Sequence, residues 1–174
     1  MAKFKLTKEQ REIVNKLDGE EKQFVIDSYK REWQYENSLE GIMDNLGGLQ
    51  VDRDLEFTIV KTLQKLPPRV RNYVYKNCAF TSIPKAGGQS LCRHKIKKPW
   101  LIILSDKADE NVVAHEIAHA RLGHKIDFPS IWPPIEWSYQ TEKEACEQAT
   151  KWGFKSELEQ ELIEAYKKKV GDIK

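Results

Sequence analysis

Three of the protein's four histidines fall within ten residues, in the segment HEIAHARLGH that begins at position 115. His115 and His119 are four residues apart, so on an α-helix both imidazoles would project from one face, one turn apart. Two imidazole nitrogens arranged in this way are typical ligands for a zinc ion. Glu116 would lie beside the ion, where its carboxylate could accept a proton from a zinc-bound water. These residue types at this spacing predict metal-assisted hydrolysis.

The residues around the histidines favour the helix that this chemistry requires. Ser105 and Asp106 are predicted to cap its start, and Gly123 to end it. An apolar stripe at helical spacing is expected on the face away from the metal: Val113, Ile117 and Ala120. The alternative is that chance placed two surface or core histidines beside a glutamate, but this does not account for the local density of histidine.

A catalytic zinc ion takes three protein ligands and keeps one position open. The third ligand is not a histidine of the H-E-x-x-H-x-x-G-x-x-H pattern, because that pattern needs glycine and histidine where the chain has Leu122 and Lys125. His124 is therefore interpreted as a group at the cleft edge or behind the ligands. The third ligand is expected further along the chain.

Two glutamates in residues 141–149 are candidates for that ligand. On a helix, Glu142 would share a face with small residues, which would let the helix pack closely against another: Ala145, Cys146 and Ala149. Glu144 would lie on the charged face, and it has capping-box spacing from Thr141. The amphipathic pattern favours Glu142, with Glu144 as the alternative ligand.

The first third of the chain is predicted to be a helical extension over residues 1–66, packed on a catalytic core over residues 67–174. Its expected helices cover residues 7–17, 20–46 and 54–66, the first with a Thr7–Gln10 capping box. Trp33 and Tyr35 leave open a second reading, in which the extension binds a partner.

The core is predicted to contain a short helix followed by three strands, over residues 69–77, 78–83, 89–96 and 100–104. The apolar run 100–104 is expected to lie centrally in a small sheet packed on the metal helix. A proline-rich loop is predicted over residues 125–137, and a C-terminal helix over 156–170, capped by Ser156 and Glu159. Together these elements predict an α+β fold.

The composition of the protein indicates which classes of partner and which cellular compartment to expect. Its 174 residues carry 29 basic and 27 acidic side chains, so the net charge of +2 indicates neither a nucleic acid nor a membrane as partner. The small basic cluster around residues 93–98 is interpreted as a solvated strand edge. Three cysteines without C-x-x-C spacing, and no apolar run long enough for a membrane span or a signal peptide, predict a reduced cytoplasmic protein. Cys92 and His94 form a second, less favoured pair of possible metal ligands.

The segment HEIAHARLGH, followed by EKEACEQATKWGF from residue 142, resembles the gluzincin zinc metallopeptidases, and most of all the ImmA/IrrE family, over about residues 100–155. The resemblance implies a zincin-like α+β fold, with a small sheet packed on the HExxH active-site helix. It implies one zinc ion held by His115, His119 and Glu142, with Glu116 as general base. It also implies cleavage of an intracellular regulatory protein, such as a repressor or antirepressor. Family members commonly have Asp or Asn at the position of Cys146.

We therefore expect a zinc-dependent metallopeptidase that acts on a protein or peptide, with the oligomeric state left open. A transition-state oxyanion needs a donor besides zinc, and three side chains are candidates: Tyr139, His124 and His94. The main rival function is a zinc-binding, catalytically inactive protein-interaction module. A deformylase-like hydrolase with a cysteine ligand and a protease acting on DNA-bound proteins are further rivals.

Overall fold

The computed structural model describes residues 4–46, 49–83, 88–92, 100–124, 135–157 and 160–171. By its internal contacts the chain divides into two units, Met1–Asn45 and Leu46–Lys174. This division lies upstream of the boundary predicted at residue 66, because the helix over Arg53–Lys65 packs on the histidine-bearing helix of the second unit.

The first unit contains three helices in its described part: α1 (Lys8–Val14), α2 (Gly19–Glu36) and α3 (Leu39–Asn45). The capping box predicted at the start of α1 is confirmed. The Thr7 hydroxyl accepts a hydrogen bond from the Gln10 amide at 3.2 Å, and the Gln10 side chain accepts one from the Thr7 amide at 2.9 Å. Two backbone donors that the helix leaves unpaired are satisfied in this way.

The single helix predicted over residues 20–46 is wrong, because the chain breaks between α2 and α3. The Asn37 side chain donates to the Trp33 carbonyl at 2.7 Å, and the Ser38 hydroxyl donates to the Tyr35 carbonyl at 2.7 Å while accepting from the Gly41 amide at 3.0 Å. A Cβ on Gly41 would lie 2.1 Å from the Tyr35 carbonyl oxygen, so this turn requires glycine. Short polar side chains offer the backbone these alternative hydrogen bonds, which apolar periodicity does not register.

The two aromatic residues that suggested a partner-binding extension have contacts inside the first unit. The ring of Trp33 lies 5.9 Å from that of Phe4, and the Tyr35 hydroxyl donates to the Asp44 carboxylate. A role of this unit in binding a partner stays a prediction.

The second unit contains a four-stranded sheet with the order β1 (Leu49–Gln50), β2 (Cys78–Ile83), β4 (Trp100–Ser105) and β3 (Gly88–Cys92). The first three run parallel, and β3 pairs antiparallel with β4. The interior position predicted for residues 100–104 is confirmed, as is the strand over 78–83. The strand predicted over 89–96 is present as β3 as far as Cys92, and its remainder lies outside the described residues.

Five described helices accompany the sheet: α4 (Arg53–Lys65), α5 (Pro68–Asn77), α6 (Glu110–Leu122), α7 (Ile135–Lys151) and α8 (Gln160–Gly171). Helix α6 carries the histidines and packs against β3, β4, α4, α5 and α7. Helix α8 packs on α7. The α+β class and the sheet beside the histidine helix are therefore present. Among the described residues, no helix is both long enough and apolar enough to cross a membrane.

Burial explains why α6 is held firmly. Its predicted apolar stripe is buried, with Val113 and Ile117 at 0% exposure and Ala120 at 1%. Ile102 and Leu104 of β4 are also fully buried, as their alternation along the strand requires. Each fully buried side chain of this size contributes about 1.5–3 kcal/mol. The face bearing His115 is therefore presented from a rigid support.

Two predicted boundaries need correction. The loop predicted over residues 125–137 ends earlier, because α7 begins at Ile135; residues 125–134 lie outside the described part. The helix predicted from Ser156 begins at Gln160, and Ser156 lies in the connection before it. Both corrections change the roles of residues near the histidines.

Candidate metal centre

Helix α6, which presents both histidines, begins at an N-cap other than the predicted one. Asp109 caps it, its carboxylate accepting from the amides of Asn111 and Val112 at 2.9 Å each. The hydrogen bond from Val112 is the main reason that the pKa of Asp109 lies below its usual value. Ser105 ends β4, and Asp106 lies in the following turn, so the predicted cap at these two residues is wrong.

The other end of α6 is closed as predicted by Gly123, whose φ of 78° is left-handed. The amides of Gly123 and His124 both donate to the His119 carbonyl, at 3.0 and 3.1 Å. The Tyr73 hydroxyl of α5 donates to the Ala120 carbonyl at 2.8 Å, which satisfies another acceptor of the last turn. The left-handed turn sends the chain back, and His124 comes to lie against His119.

His115, His119 and Glu142 come together although α6 and α7 are far apart in sequence. The Nε2 atom of His115 lies 2.9 Å from Oε2 of Glu142 and 2.9 Å from Nε2 of His119, and Nε2 of His119 lies 3.3 Å from Oε1 of Glu142. In the part of the chain that the structure describes, these residues form the one cluster of three potential ligands.

The donor set fits a divalent metal ion. Tetrahedral ligands about 2.0–2.2 Å from zinc stand about 3.4 Å apart, so shifts of about half an ångström would admit an ion here. The side chains of His115, His119 and Glu142 are 15%, 11% and 39% exposed, so Glu142 is the most accessible of the three to solvent. One coordination position could therefore stay open to water.

The pKa values of two carboxylates of the centre, Glu142 and Glu116, are shifted in opposite directions. Burial disfavours the charged form of Glu142, but hydrogen bonds from His115 and His119 outweigh it and lower its pKa, so Glu142 is anionic at neutral pH. Burial raises the pKa of Glu116, although charge on the neighbouring histidines opposes this rise. Glu116 is thus a buried group with an increased affinity for a proton, next to the cluster.

Glu144, the alternative ligand, lies behind the cluster. Since α7 begins at Ile135, the capping box predicted for Thr141 and Glu144 is wrong: both residues lie inside the helix, and the Thr141 hydroxyl donates to the Ser138 carbonyl at 3.1 Å. The Glu144 carboxylate accepts from Nε2 of His124 at 3.1 Å and from the Gln140 side chain at 2.6 Å.

Ser156 is a residue of the centre that the sequence did not indicate. Its hydroxyl lies 3.0 Å from Nδ1 of His115, while the Sγ atom of Cys146 is 3.8 Å from the same nitrogen. Burial raises the pKa of the Cys146 thiol, against the effect of a hydrogen bond with Ser156, so this side chain stays neutral. The Lys155 amide donates to the Asn111 side chain at 2.9 Å, which ties the segment carrying Ser156 to the first turn of α6.

Of the three predicted oxyanion donors, the structure describes Tyr139 and His124. The Tyr139 ring stacks on that of Tyr166 in α8, with centroids 4.0 Å apart. His124 faces His119, their Nδ1 atoms 2.9 Å apart, and burial lowers the pKa of His124, which favours its neutral form. His94, like the possible ligand pair that it forms with Cys92, lies outside the residues whose side chains the structure describes.

Two imidazoles and an anionic carboxylate, with a buried glutamate beside them, form a centre that could hold a divalent ion and carry out acid–base chemistry next to it. Comparison of the chain with protein-family models, with curated proteins and with solved structures gives no match.

Proposed function

We propose that the protein is a zinc-dependent metallopeptidase of the zincin-like type, related to the ImmA/IrrE family. The observation that carries the proposal is the meeting of His115, His119 and Glu142 with their ligand atoms within 4.8 Å of one another. Two histidines and one glutamate, with a fourth position open, are an established ligand set of catalytic zinc.

The choice of zinc follows from the donor atoms. Magnesium and calcium prefer sites made of oxygen ligands, whereas two imidazole nitrogens with one carboxylate oxygen suit zinc. The carboxylate of Glu142 is anionic and supplies part of the charge that a divalent ion requires. When bound, zinc supplies Lewis-acid activation of water and of the scissile carbonyl.

Glu116 is the proposed general base. It is 7% exposed and lies beside the histidines, whose charges affect its pKa. A buried carboxylate of raised pKa can take a proton from the attacking water and pass it to the leaving amine. The other residues of the centre would orient the imidazole rings of His115 and His119.

The substrate class rests on the family resemblance. We propose a protein substrate of the regulatory kind, such as a repressor or antirepressor. A cytoplasmic location is part of the same proposal, and it is supported by the buried thiol of Cys146, which is not in a disulfide.

The test compares wild type with Glu116→Gln, using zinc content and cleavage of a fluorogenic peptide library. We expect both proteins to hold one zinc ion, because glutamine keeps the shape of the site, and the variant to lose activity by about 10²–10⁴-fold. Glu147→Gln is the matched control, since Glu147 is an exposed glutamate of α7.

Equal cleavage by wild type and Glu116→Gln would show that Glu116 is not the base. Stoichiometric zinc in both proteins, with cleavage by neither, would instead support the alternative function, a zinc-binding protein-interaction module without turnover.

A further inference from the structure

The nitrogen of His119 that faces away from the cluster is engaged by a chain of side chains. Its Nδ1 atom lies 2.9 Å from Nδ1 of His124, and Nε2 of His124 lies 3.1 Å from Oε2 of Glu144. The other oxygen of Glu144 accepts a second hydrogen bond, from the Gln140 side-chain amide at 2.6 Å. We propose that His124 and Glu144 are positioning residues, which orient His119 as a metal ligand; this rests on the proposed zinc site.

Metal binding would fix which atom donates and which accepts in each hydrogen bond from His119 to Glu144. When Nε2 of His119 binds an ion, its Nδ1 must carry the ring hydrogen and act as a donor. Nδ1 of His124 must then be the acceptor, so the hydrogen of His124 is on Nε2 and is donated to Glu144. An anionic carboxylate that only accepts is the correct end of such a chain.

The arrangement argues against His124 as a ligand of a further ion shared with His119. A neutral imidazole has one acceptor nitrogen, so once Nε2 of His119 holds the proposed ion, its Nδ1 carries the ring hydrogen and has no lone pair for a further ion. The observed 2.9 Å is a normal length for a hydrogen bond between nitrogens.

Helix α7 would thus hold His119 from two sides. Glu142 meets its Nε2 atom at 3.3 Å, and Glu144 supports its Nδ1 atom through His124. The His124 side chain is 9% exposed, so its two hydrogen bonds are shielded from water, whereas Glu144 is 44% exposed and its charge is partly screened. We therefore expect His124 to matter more than Glu144.

The experiment measures zinc affinity of the full chain by competition with a chelator, and the absorption spectrum of the Co²⁺-loaded protein. We expect His124→Ala to weaken zinc binding by about 10–100-fold and to shift the cobalt bands, because His119 loses the partner that orients it. Glu144→Gln should weaken binding less. The double variant should bind zinc no more weakly than His124→Ala alone, since Glu144 acts through His124.

His124→Asn provides a rescue test. An asparagine oxygen can accept from Nδ1 of His119, but the side chain is too short for its amide group to reach Glu144 as Nε2 of imidazole does. We expect it to recover part of the zinc affinity and to make that affinity insensitive to Glu144→Gln. Glu147→Gln, on the same helix but exposed, should match wild type.

Additive losses in the double variant, or wild-type affinity and cobalt spectrum in His124→Ala, would overturn the inference while leaving the proposed function standing. A wild-type protein that binds zinc but cleaves nothing removes the proposed peptidase and leaves the inference intact. A wild-type protein that binds neither zinc nor cobalt removes both.

Discussion

The two proposed histidine ligands differ in the side chains that contact the Nδ1 atom of each ring. His119 is backed by another histidine, whereas His115 faces the Ser156 hydroxyl at 3.0 Å and the Cys146 thiol at 3.8 Å. A hydroxyl is a much better acceptor for an imidazole N–H than a neutral thiol. At the position where the peptidases that the sequence resembles commonly have Asp or Asn, this chain has Cys146, so we expect Ser156 to orient His115 in its place.

Ser156→Ala should therefore weaken zinc binding by about tenfold or more, because Nδ1 of His115 loses its oxygen acceptor. Chelator competition measures this loss. Ser138→Ala is the matched control, being a serine of α7 whose backbone carbonyl, unchanged by the substitution, accepts from the Thr141 hydroxyl. A larger loss in Cys146→Ala than in Ser156→Ala would assign the role to the thiol instead.

Among the elements, α6 determines the geometry of the centre, and both of its ends are closed by side-chain or backbone hydrogen bonds. Asp109 caps its start, and Gly123 turns the chain at its end. Asn111 accepts the Lys155 amide one helical turn before His115. The segment that presents Ser156 is thereby anchored to the same face of α6 that carries the proposed ligand.

Asp109→Ala should lower the free energy of unfolding by about 1 kcal/mol at neutral pH, because two backbone donors lose their acceptor. Since the folded-state pKa of Asp109 is lowered, this stability is present above the unfolded value of about 3.9 and is lost as pH falls through the lower folded value. Urea unfolding of wild type and variant at pH 7 and at acid pH measures the effect.

Asp106→Ala serves as the control, because Asp106 is exposed and lies before the cap. We expect it to change stability by less than about 0.5 kcal/mol. If Asp106→Ala destabilised the protein as much as Asp109→Ala, the result would support the helix cap that the sequence predicts at Ser105 and Asp106.

At the scale of the whole molecule, the proposed metal would join two helices that pack on each other but lie far apart in the sequence. His115 and His119 come from the helix that packs on the sheet, and Glu142 comes from α7, which also carries the contact with α8. A ligand that binds only the folded state stabilises it according to its concentration and affinity. Zinc should therefore stabilise the second unit, Leu46–Lys174, in particular.

Zinc at about 100 times its dissociation constant should stabilise the folded chain by about 2.7 kcal/mol, and a chelator should reverse this. Thermal unfolding gives the total effect, and amide hydrogen exchange locates it. We expect slower exchange in α6 and α7 and unchanged exchange in α1 and α2. Glu142→Ala should abolish the response, and a response that persists in this variant would mean that the ion binds elsewhere.

Much of the fold follows from local patterns. Alternating and continuous apolar runs predicted β2 and β4, and helical spacing predicted α4, α5 and the buried stripe of α6. Apolar periodicity does not indicate the break between α2 and α3, because Asn37 and Ser38 compete for backbone groups through their own side chains. The sequence predicts too late a start for α7, because Thr141 and Glu144 have capping-box spacing by coincidence, inside a helix that begins at Ile135.

For the site, the residue types alone predicted metal-assisted hydrolysis, because two imidazoles and a glutamate share one helical face. The small residues beside Glu142 on a second helix indicated the third ligand. Only the tertiary structure decided how the remaining groups are used. Ser156 and His124 reach the rings of His115 and His119 through the packing of α6 on α7 and the left-handed turn at Gly123. Hydrogen bonds between distant segments depend on where the chain returns, and no local periodicity encodes that position.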